Sequence, residues 1–437
     1  MRQKFLLLTF LAFFSMQVKA QTYDMVVAQD GSGDYSSIQA AIDAVPDNSA
    51  SETVIYIKSG TYNTEKLIVR SAKTNIKMIG ESRTGTVISY HIYDCSLGKC
   101  PVTDAVLWPE DVIRTSATLT IQADGFKAEN LTVQNTAGPV GQAQALTIQS
   151  DKVVFLNCDL KAYQDTIFFW NVGKRGYFEN CLIVGRTDYI YGGGIDFFYQ
   201  CELRSWGGGW ITAPSTAESQ KYGFVFYDCD LTYTDNSPRS GDDGNTIALG
   251  RPWHNYPKVT WIYCDMVSMI DPLGWPTTWN MDYANTSTGL ELYEYQNTGA
   301  GADMSGRADW AGIRALTSSE APLYERAVVL AGNDNWDPKA TATTINAYTT
   351  IEAESYNSQS GIATEASGEG GENVGFIQNG DWIAFSNVDF GSIGAANFSA
   401  RAATTASGTI KIMLDGVSGT QVGTCSITNT GGWQTYA

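Results

Sequence analysis

The chain has 437 residues, with 46 acidic against 28 basic side chains and a formal net charge of -18. That balance argues against nucleic acid and anionic membrane surfaces as partners, and the length allows two domains, one with a large core. With 43 Gly and 23 Tyr, clusters of Thr and Asn and few helical runs, the composition reads as mostly β.

Residues 1–20 read as a secretory signal peptide. Arg2 and Lys4 give a positive start, Leu6 to Phe14 an apolar run, and Val18-Lys19-Ala20 a small-residue cleavage signal. Losing Arg2, Lys4 and Lys19 takes the formal charge from -18 to -21. No later stretch approaches the roughly 20 apolar residues that span a bilayer. The mature protein is therefore expected to be secreted, extracellular or periplasmic.

Ser36 to Val45 (SSIQAAIDAV) predicts a helix: Ile38, Ala41, Ile42 and Val45 share one face, and Pro46 ends it. Cys95 and Cys100, in YDCSLGKC, lie in a loop and are the best candidates for a disulfide. Five further cysteines share a different context: VVFLNCDL, GYFENCLI, DFFYQCEL, FVFYDCDL and TWIYCDMV surround Cys158, Cys181, Cys201, Cys229 and Cys264. GFKAENLTV has the same shape, with Asn130 read at the cysteine position. The spacings of 23, 20, 28 and 35 residues are those of a solenoid in which no turn buries its own face. Short alternating strands without intervening helices make it a right-handed parallel β-helix, with the helix near residue 40 as the lid on its open end. The cysteines then form an inward ladder, mostly reduced, because Cys is often buried unpaired; a disulfide scaffold is the competing reading.

The ladder supplies a register. Asp165 lies seven residues after Cys158, and Asp188 seven after Cys181. On adjacent turns the two stand about 4.8 Å apart along the axis. The equivalent position one turn on is Gly208, in Gly207-Gly208-Gly209, which predicts open space beside the pair. Two carboxylates that close cannot both ionise freely, so one pKa rises. An anionic and a protonated aspartate suit a nucleophile and a general acid. Taken singly, each Asp reads more readily as a turn residue satisfied by backbone amides; the in-register pair beside the glycines turns the reading toward chemistry.

Gln164 precedes Asp165, and Gln142 lies 22 residues before Gln164, about one turn. Neutral amide donors near a carboxylate pair suit an oxyanion developing in acyl transfer, whereas glycoside hydrolysis develops positive charge. Arg251-Pro252-Trp253 offers a cation to hold Asp188 ionised and an aromatic face for a sugar ring. A Gln ladder or a core Trp is the plainer reading of each alone. Only His91 and His254 are present and there is no G-x-S-x-G elbow, which disfavours a serine esterase; no His/Cys/Asp cluster has zinc spacing.

After Asp337-Pro338 and the polar run Thr341 to Thr344, the chain from Ile351 onward is Gly- and Ser-rich with short alternating strands. It reads as a second all-β domain. The expected division is a signal segment at 1–20, a β-helix at 21–339, a linker at 340–350 and a small β-sandwich at 351–437.

QAQAL (Gln142 to Leu146), YQDTIF (Tyr163 to Phe168), DYIYGG (Asp188 to Gly193) and LGRPW (Leu249 to Trp253) resemble, in order and spacing, the four active-site segments of pectin methylesterases, carbohydrate esterase family 8. The resemblance runs from about Tyr23 to Asp337 and begins with DGSGDYSSIQAAIDAVP. It implies hydrolysis of C6 methyl esters of homogalacturonan without a catalytic cofactor. It implies Asp188 as nucleophile, Asp165 as general acid and base, Gln142 and Gln164 on the oxyanion and Arg251 positioning Asp188. Trp253, Phe168 and Tyr191 are implied sugar-contacting aromatics. The sequence departs from the family in two places. G-x-Y-x-E appears as Gly60-Thr61-Tyr62-Asn63-Thr64-Glu65, its acid displaced by one, and Tyr189 and Tyr191 stand where Phe is common.

The tail, in IEAESY (Ile351 to Tyr356), NVGFIQNGDWIAF (Asn373 to Phe385) and TGGWQTYA (Thr430 to Ala437), resembles a family 6 carbohydrate-binding module in a jelly-roll β-sandwich. This implies a second polysaccharide partner, a structural calcium at Glu352 and Glu354, and Phe376 and Trp433 as the sugar clasp; core packing is the alternative for both aromatics. Such modules continue through a last strand beyond Ala437, so an incomplete sandwich and metal site are expected. Two rival readings remain for the first domain: another pectin-active β-helix, either lyase or polygalacturonase, and a non-catalytic wall-binding β-helix. A capped solenoid gives no reason to oligomerise, so a monomer is expected.

Overall fold

The computed structural model describes residues 23–94, 116–276, 289–339, 345–356, 358–368, 370–385, 388–390, 394–414 and 419–436. The signal segment, the Cys95/Cys100 pair and the Thr341–Thr344 run lie outside them. By contacts the chain divides into two compact units, one through Pro338 and one from Lys339.

The first unit is a parallel β-helix. Its described strands fall into an 11-stranded and a 13-stranded sheet, and every ladder in both is parallel. Each middle turn of chain adds one strand to the 11-stranded sheet and two short strands or one long strand to the 13-stranded sheet, so side chains repeat in file along the axis. Phe155, Phe178, Phe198, Phe226 and Trp261 form one such file inside, with successive ring centroids 5.4, 4.9, 4.6 and 4.0 Å apart. Each stacked pair adds about 0.5–1.5 kcal/mol beyond its buried area. Such stacking is available only when identical positions sit on neighbouring turns.

Cys158, Cys181, Cys201, Cys229 and Cys264 are all buried and unoxidised, which settles the five against a disulfide scaffold. The residue before each cysteine takes the left-handed conformation, with φ from 51° to 56° at Asn157, Asn180, Gln200, Asp228 and Tyr263. It bends the chain so that the cysteine turns inward. Asn130 corresponds to that bend residue, with φ 55°, rather than to the cysteine position expected for it. The inward place on its turn belongs to Leu131, fully buried, whose carbonyl accepts from Asp159 just as that of Cys158 accepts from Leu182. Asparagine tolerates the left-handed region and its side chain prefers the outside; the Asn157 amide in fact donates to Asn130 Oδ1 at 2.6 Å.

The N-terminal helix is Ile38–Ala44, with Ile38, Ala41 and Ile42 buried against the first turns. Ser37 caps it through the Ala40 amide. The displaced acid of the G-x-Y-x-E segment has a task here: Glu65 accepts from the amides of Ile38 and Gln39 and from the Ser37 hydroxyl. A carboxylate at a helix N-terminus satisfies amides that have no partner within the helix.

The second unit is built of small two-stranded sheets. Gly408–Leu414 with Thr420–Ile427, Ala363–Ala366 with Glu372–Gly375, and Ser358–Ser360 with Trp382–Ala384 are antiparallel, while Ile345–Asn346 and Val388–Asp389 run parallel. No helix among the described residues is long and apolar enough to cross a membrane.

Candidate active site

Neighbouring strands of the 13-stranded sheet build the site. Ile167 pairs with Ile190 and Gln164 bridges Thr187, an offset of 23 residues that sets Asp165 across from Asp188 on adjacent turns. Both carry left-handed backbones, φ 64° and 49°, and both are largely buried, at 6% and 8% exposure. Non-glycine residues in this region are uncommon, and Asp is among the few that tolerate it. Here the bend lifts each carboxyl out of the strand's alternation, and the Asp165 amide still donates to the Thr187 carbonyl at 3.0 Å.

The surroundings of the two acids differ. Arg251, just after the Ala248–Gly250 strand, forms a two-point pair with Asp188: Nε to Oδ1 at 2.7 Å and a terminal nitrogen to Oδ2 at 2.5 Å. The Trp210 ring lies 4.0 Å beneath the same guanidinium, which fixes its plane. Among the described residues no such cation pairs with Asp165 by its own two oxygens; the neutral Tyr191 hydroxyl and Gln164 amide are near enough to ease its ionisation. Burial, and then the neighbouring Asp188 charge, push the Asp165 carboxyl well above the usual carboxylate range. Burial also raises Asp188, but the Arg251 pair pulls it back. The first proton therefore leaves Asp188, and Asp165 keeps the second.

Gly208 does not stand beside the pair as predicted. Between Gly185↔Ser205 and Thr187↔Trp210 the Glu202–Pro214 strand inserts three extra residues, so Trp210 to Thr212, not Gly208, lie across from Thr187 to Ile190. A Cβ at Gly208 would come 3.0 Å from an Arg186 guanidinium nitrogen, and one at Gly209 only 1.7 Å from the Arg186 carbonyl. The glycines admit Arg186, whose Nε binds Asp242 at 2.9 Å while Tyr163 holds the other Asp242 oxygen at 2.6 Å.

Gln142 and Gln164 are each half-buried. The register offset here is 21, Leu146 to Ile167, so Ala143 rather than Gln142 stands across from Gln164, and its amide donates to the Gln164 carbonyl. The same offset places Gln144 across from Asp165. Gln144 is fully buried, and its amide donates to the Tyr191 hydroxyl at 2.6 Å. Sequence reasoning passed over Gln144 although it lies within QAQAL; the signal was a second polar residue at strand period inside an apolar run.

An aromatic floor adjoins the acids. Phe168 and Tyr191 stack at 4.4 Å and 3°, Trp170 lies 5.6 Å from Phe168, and Trp253 stands 5.9 Å from Tyr191 with 40% of its surface exposed. A flat, partly open aromatic surface beside a buried acid pair suits a pyranose ring presenting a substituent to the acids.

In the second unit Phe376 and Trp433 are 69% and 66% exposed, so neither is packed in a core. Glu352 is exposed and Glu354 half-buried, and no cluster of three or more His, Cys, Asp or Glu suited to a metal occurs among the described residues. Calcium takes roughly six to eight oxygens, so these two carboxylates would form part of any such shell.

Residues 24–333 match the family model "Pectinesterase", and residues 352–437 match "Carbohydrate binding module (family 6)". A pectinesterase of Daucus carota is 35% identical over 326 residues, covering 72% of this chain and 95% of the relative. Many curated relatives are longer: the chain spans about half the length of a probable pectinesterase/pectinesterase inhibitor of Arabidopsis thaliana, at 31% identity over 73% of this chain. The solved pectin methylesterase from carrot superposes with a TM-score of 0.63 at 32% identity, covering 71% of this chain and 94% of the other. An aspartate-to-alanine mutant of pectin methylesterase in complex with hexasaccharide IV gives 0.58 at 27% identity, over 73% and 99%. On the family match and the carrot relative together, the chain belongs to the pectinesterase family and carries a family 6 carbohydrate-binding module behind the β-helix.

Proposed function

We propose that the protein is a pectin methylesterase that hydrolyses C6 methyl esters of homogalacturonan through an aspartyl acyl-enzyme. The observation that carries the reading is the in-register pair Asp165 and Asp188, of which Asp188 holds the two-point contact with Arg251. That asymmetry supports an ionised nucleophile beside a protonated acid.

Asp188 attacks the ester carbonyl, and the electron pair moves to the carbonyl oxygen. Gln142 and Gln164 donate to that oxyanion. Collapse breaks the bond to the methoxy oxygen, Asp165 supplies the departing methanol with its proton, and a mixed anhydride between Asp188 and the galacturonyl carbon remains. Asp165, now a carboxylate, takes a proton from water as the water attacks the acyl carbon. Asp188 leaves as the carboxylate, Asp165 is again protonated, and the sugar is released as the free acid, which loses its proton to solvent. Arg251 keeps Asp188 oriented at both ends of the cycle, and Trp253, Phe168 and Tyr191 seat the sugar. No step requires a metal or cofactor.

Relatives act on pectin by name, and a similar solved enzyme holds a hexasaccharide; we infer the same polymer here. We further infer secretion from residues 1–20, a monomeric state, a domain division near residue 340, and contact of Phe376 and Trp433 with a second polysaccharide. The test is methanol release from highly methylated homogalacturonan with chain length followed alongside. Methanol with unchanged chain length supports the esterase; chain shortening without methanol would reassign the acids to a lyase or polygalacturonase.

A further inference from the structure

A line of polar side chains leads from the sheet interior to Asp165. The Ser116 hydroxyl donates to Gln144 Oε1. That contact fixes the amide's orientation, so its NH2 group faces Tyr191 and donates to the phenolic oxygen at 2.6 Å. Tyr191 has one proton, and with Gln144 occupying a lone pair, that proton is left to turn toward Asp165, which stands across from Gln144 on the adjacent turn and whose ionisation the hydroxyl eases. Ser116 and Gln144 are fully buried and Tyr191 is 7% exposed, so water does not compete along most of the line. The ring is clamped against Phe168 at 4.4 Å, which leaves the hydroxyl little freedom to turn elsewhere. Donors run in a single direction, toward the carboxyl.

We propose that Tyr191 is a positioning residue whose hydroxyl, aimed by Ser116 and Gln144, donates to Asp165 and favours the carboxylate form that activates the deacylating water. The inference rests on the esterase reading. It assigns Tyr191 a polar task in addition to its place in the aromatic floor, and it gives Gln144 a function distinct from oxyanion binding. The need for it follows from the rest of the site. Asp165 faces Asp188 from the adjacent turn, whose charge resists its ionisation, while Arg251, Gln164 and Tyr191 favour ionisation. Arg251 is committed to Asp188, which leaves the phenol as a neutral donor placed on Asp165 itself. Burial and the Asp165 charge push the Tyr191 phenol well up, so it remains a donor throughout the working range.

The experiment is the pH profile of methanol release for the full chain and for Tyr191→Phe, Gln144→Leu, the double variant and Tyr189→Phe. The last is a control, since the Tyr189 hydroxyl meets Ser205 at 2.7 Å in the core. Without the donor, Asp165 holds its proton to higher pH. The alkaline limb of kcat/KM, where the acid must be protonated, and the acid limb of a deacylation-limited kcat both move up, by about one pH unit. Gln144→Leu moves them the same way by less, the double variant matches Tyr191→Phe, and Tyr189→Phe leaves them in place. Limbs unshifted in Tyr191→Phe while methanol is still released overturn the inference, as do shifts that add in the double variant. If Tyr191→Phe fails to fold, an unshifted Gln144→Leu overturns it instead. A wild-type chain that releases no methanol sinks the esterase reading, a different failure.

Discussion

Arg251 grips Asp188 by both carboxylate oxygens, at 2.7 and 2.5 Å, with the guanidinium plane backed by Trp210. The pair is buried on both sides, with side-chain exposures of 9% and 12%. Breaking such a pair by removing one partner strands a charge, at a cost of about 3–5 kcal/mol. Arg251→Leu is therefore expected to lower both the urea midpoint and turnover. Asp188→Asn, nearly isosteric but a poor nucleophile, should reduce methanol release to background with the circular dichroism unchanged. Combining the two should recover much of the stability lost in Arg251→Leu, because no unpaired charge remains. A double variant no more stable than Arg251→Leu would mean that the arginine's packing, not its charge, matters.

Trp253 stands at the open edge of the aromatic floor, 40% exposed and 5.9 Å from Tyr191. Its backbone amide is held by the Pro214 carbonyl at 3.0 Å, so the ring's truncation leaves the loop anchored. Trp253→Ala should raise KM for methylated homogalacturonan about 10-fold, the equivalent of roughly 1.4 kcal/mol of ring stacking. The change in kcat should be small, since the ring is remote from the bonds that break. A fall in kcat at unchanged KM would place Trp253 in the chemistry rather than in sugar binding.

What could be read from the sequence was whatever repeats with the turn. The five cysteines recur with aromatics two or three residues before them, and both features follow from parallel stacking. The seven-residue step from cysteine to aspartate survives between Cys158 and Cys181 because the two turns are the same length up to Ile167 and Ile190. The same step fails from Cys201 because three residues are inserted between Ser205 and Trp210. Nothing in Gly207-Gly208-Gly209 distinguishes a cavity from a passage for the Arg186 side chain. Asn130 was misplaced by one residue, since a polar bend residue and the inward residue after it are adjacent in sequence but opposite in direction. Gln144 was hidden for another reason: its partners Ser116 and Tyr191 lie 28 and 47 residues away. Side-chain bonds across turns leave no periodic trace.

Glu65 tests how far the shifted acid of the N-terminal motif is structural. Its carboxylate accepts from two helix amides and the Ser37 hydroxyl, in effect a second cap supplied from the next turn. Glu65→Ala should cost about 1–2 kcal/mol, read as a lower urea midpoint, with kcat and KM unchanged. The helix Ile38–Ala44 has only seven residues, too short to persist without its cap and its buried face. Unaltered stability would show that the buried face of Ile38, Ala41 and Ile42 suffices.

Asp196 predicts a pH dependence of stability separate from catalysis. It is 1% exposed on the Ile195–Tyr199 strand, and its Oδ2 has no hydrogen-bond partner among the described residues. Two glycines make room for it: a Cβ at Gly176 would lie 2.3 Å from Oδ1, and one at Gly194 2.1 Å from Oδ2. Burial, and then the Asp151 charge, push its carboxyl well above the usual range. The folded state thus keeps a proton that the unfolded chain gives up near pH 4. For a group raised on folding, the stabilisation is whole below the unfolded pKa and is lost as pH climbs toward the folded one, at up to about 1.4 kcal/mol per pH unit. Asp165 contributes with the same sign. Asp196→Asn removes the Asp196 titration at nearly constant shape. Urea unfolding at a series of pH values from 4 to 7 should show the variant losing less stability than the parent as pH rises. Parallel curves would mean that Asp196 is already ionised in the folded protein, with a counter-charge close enough to hold it so.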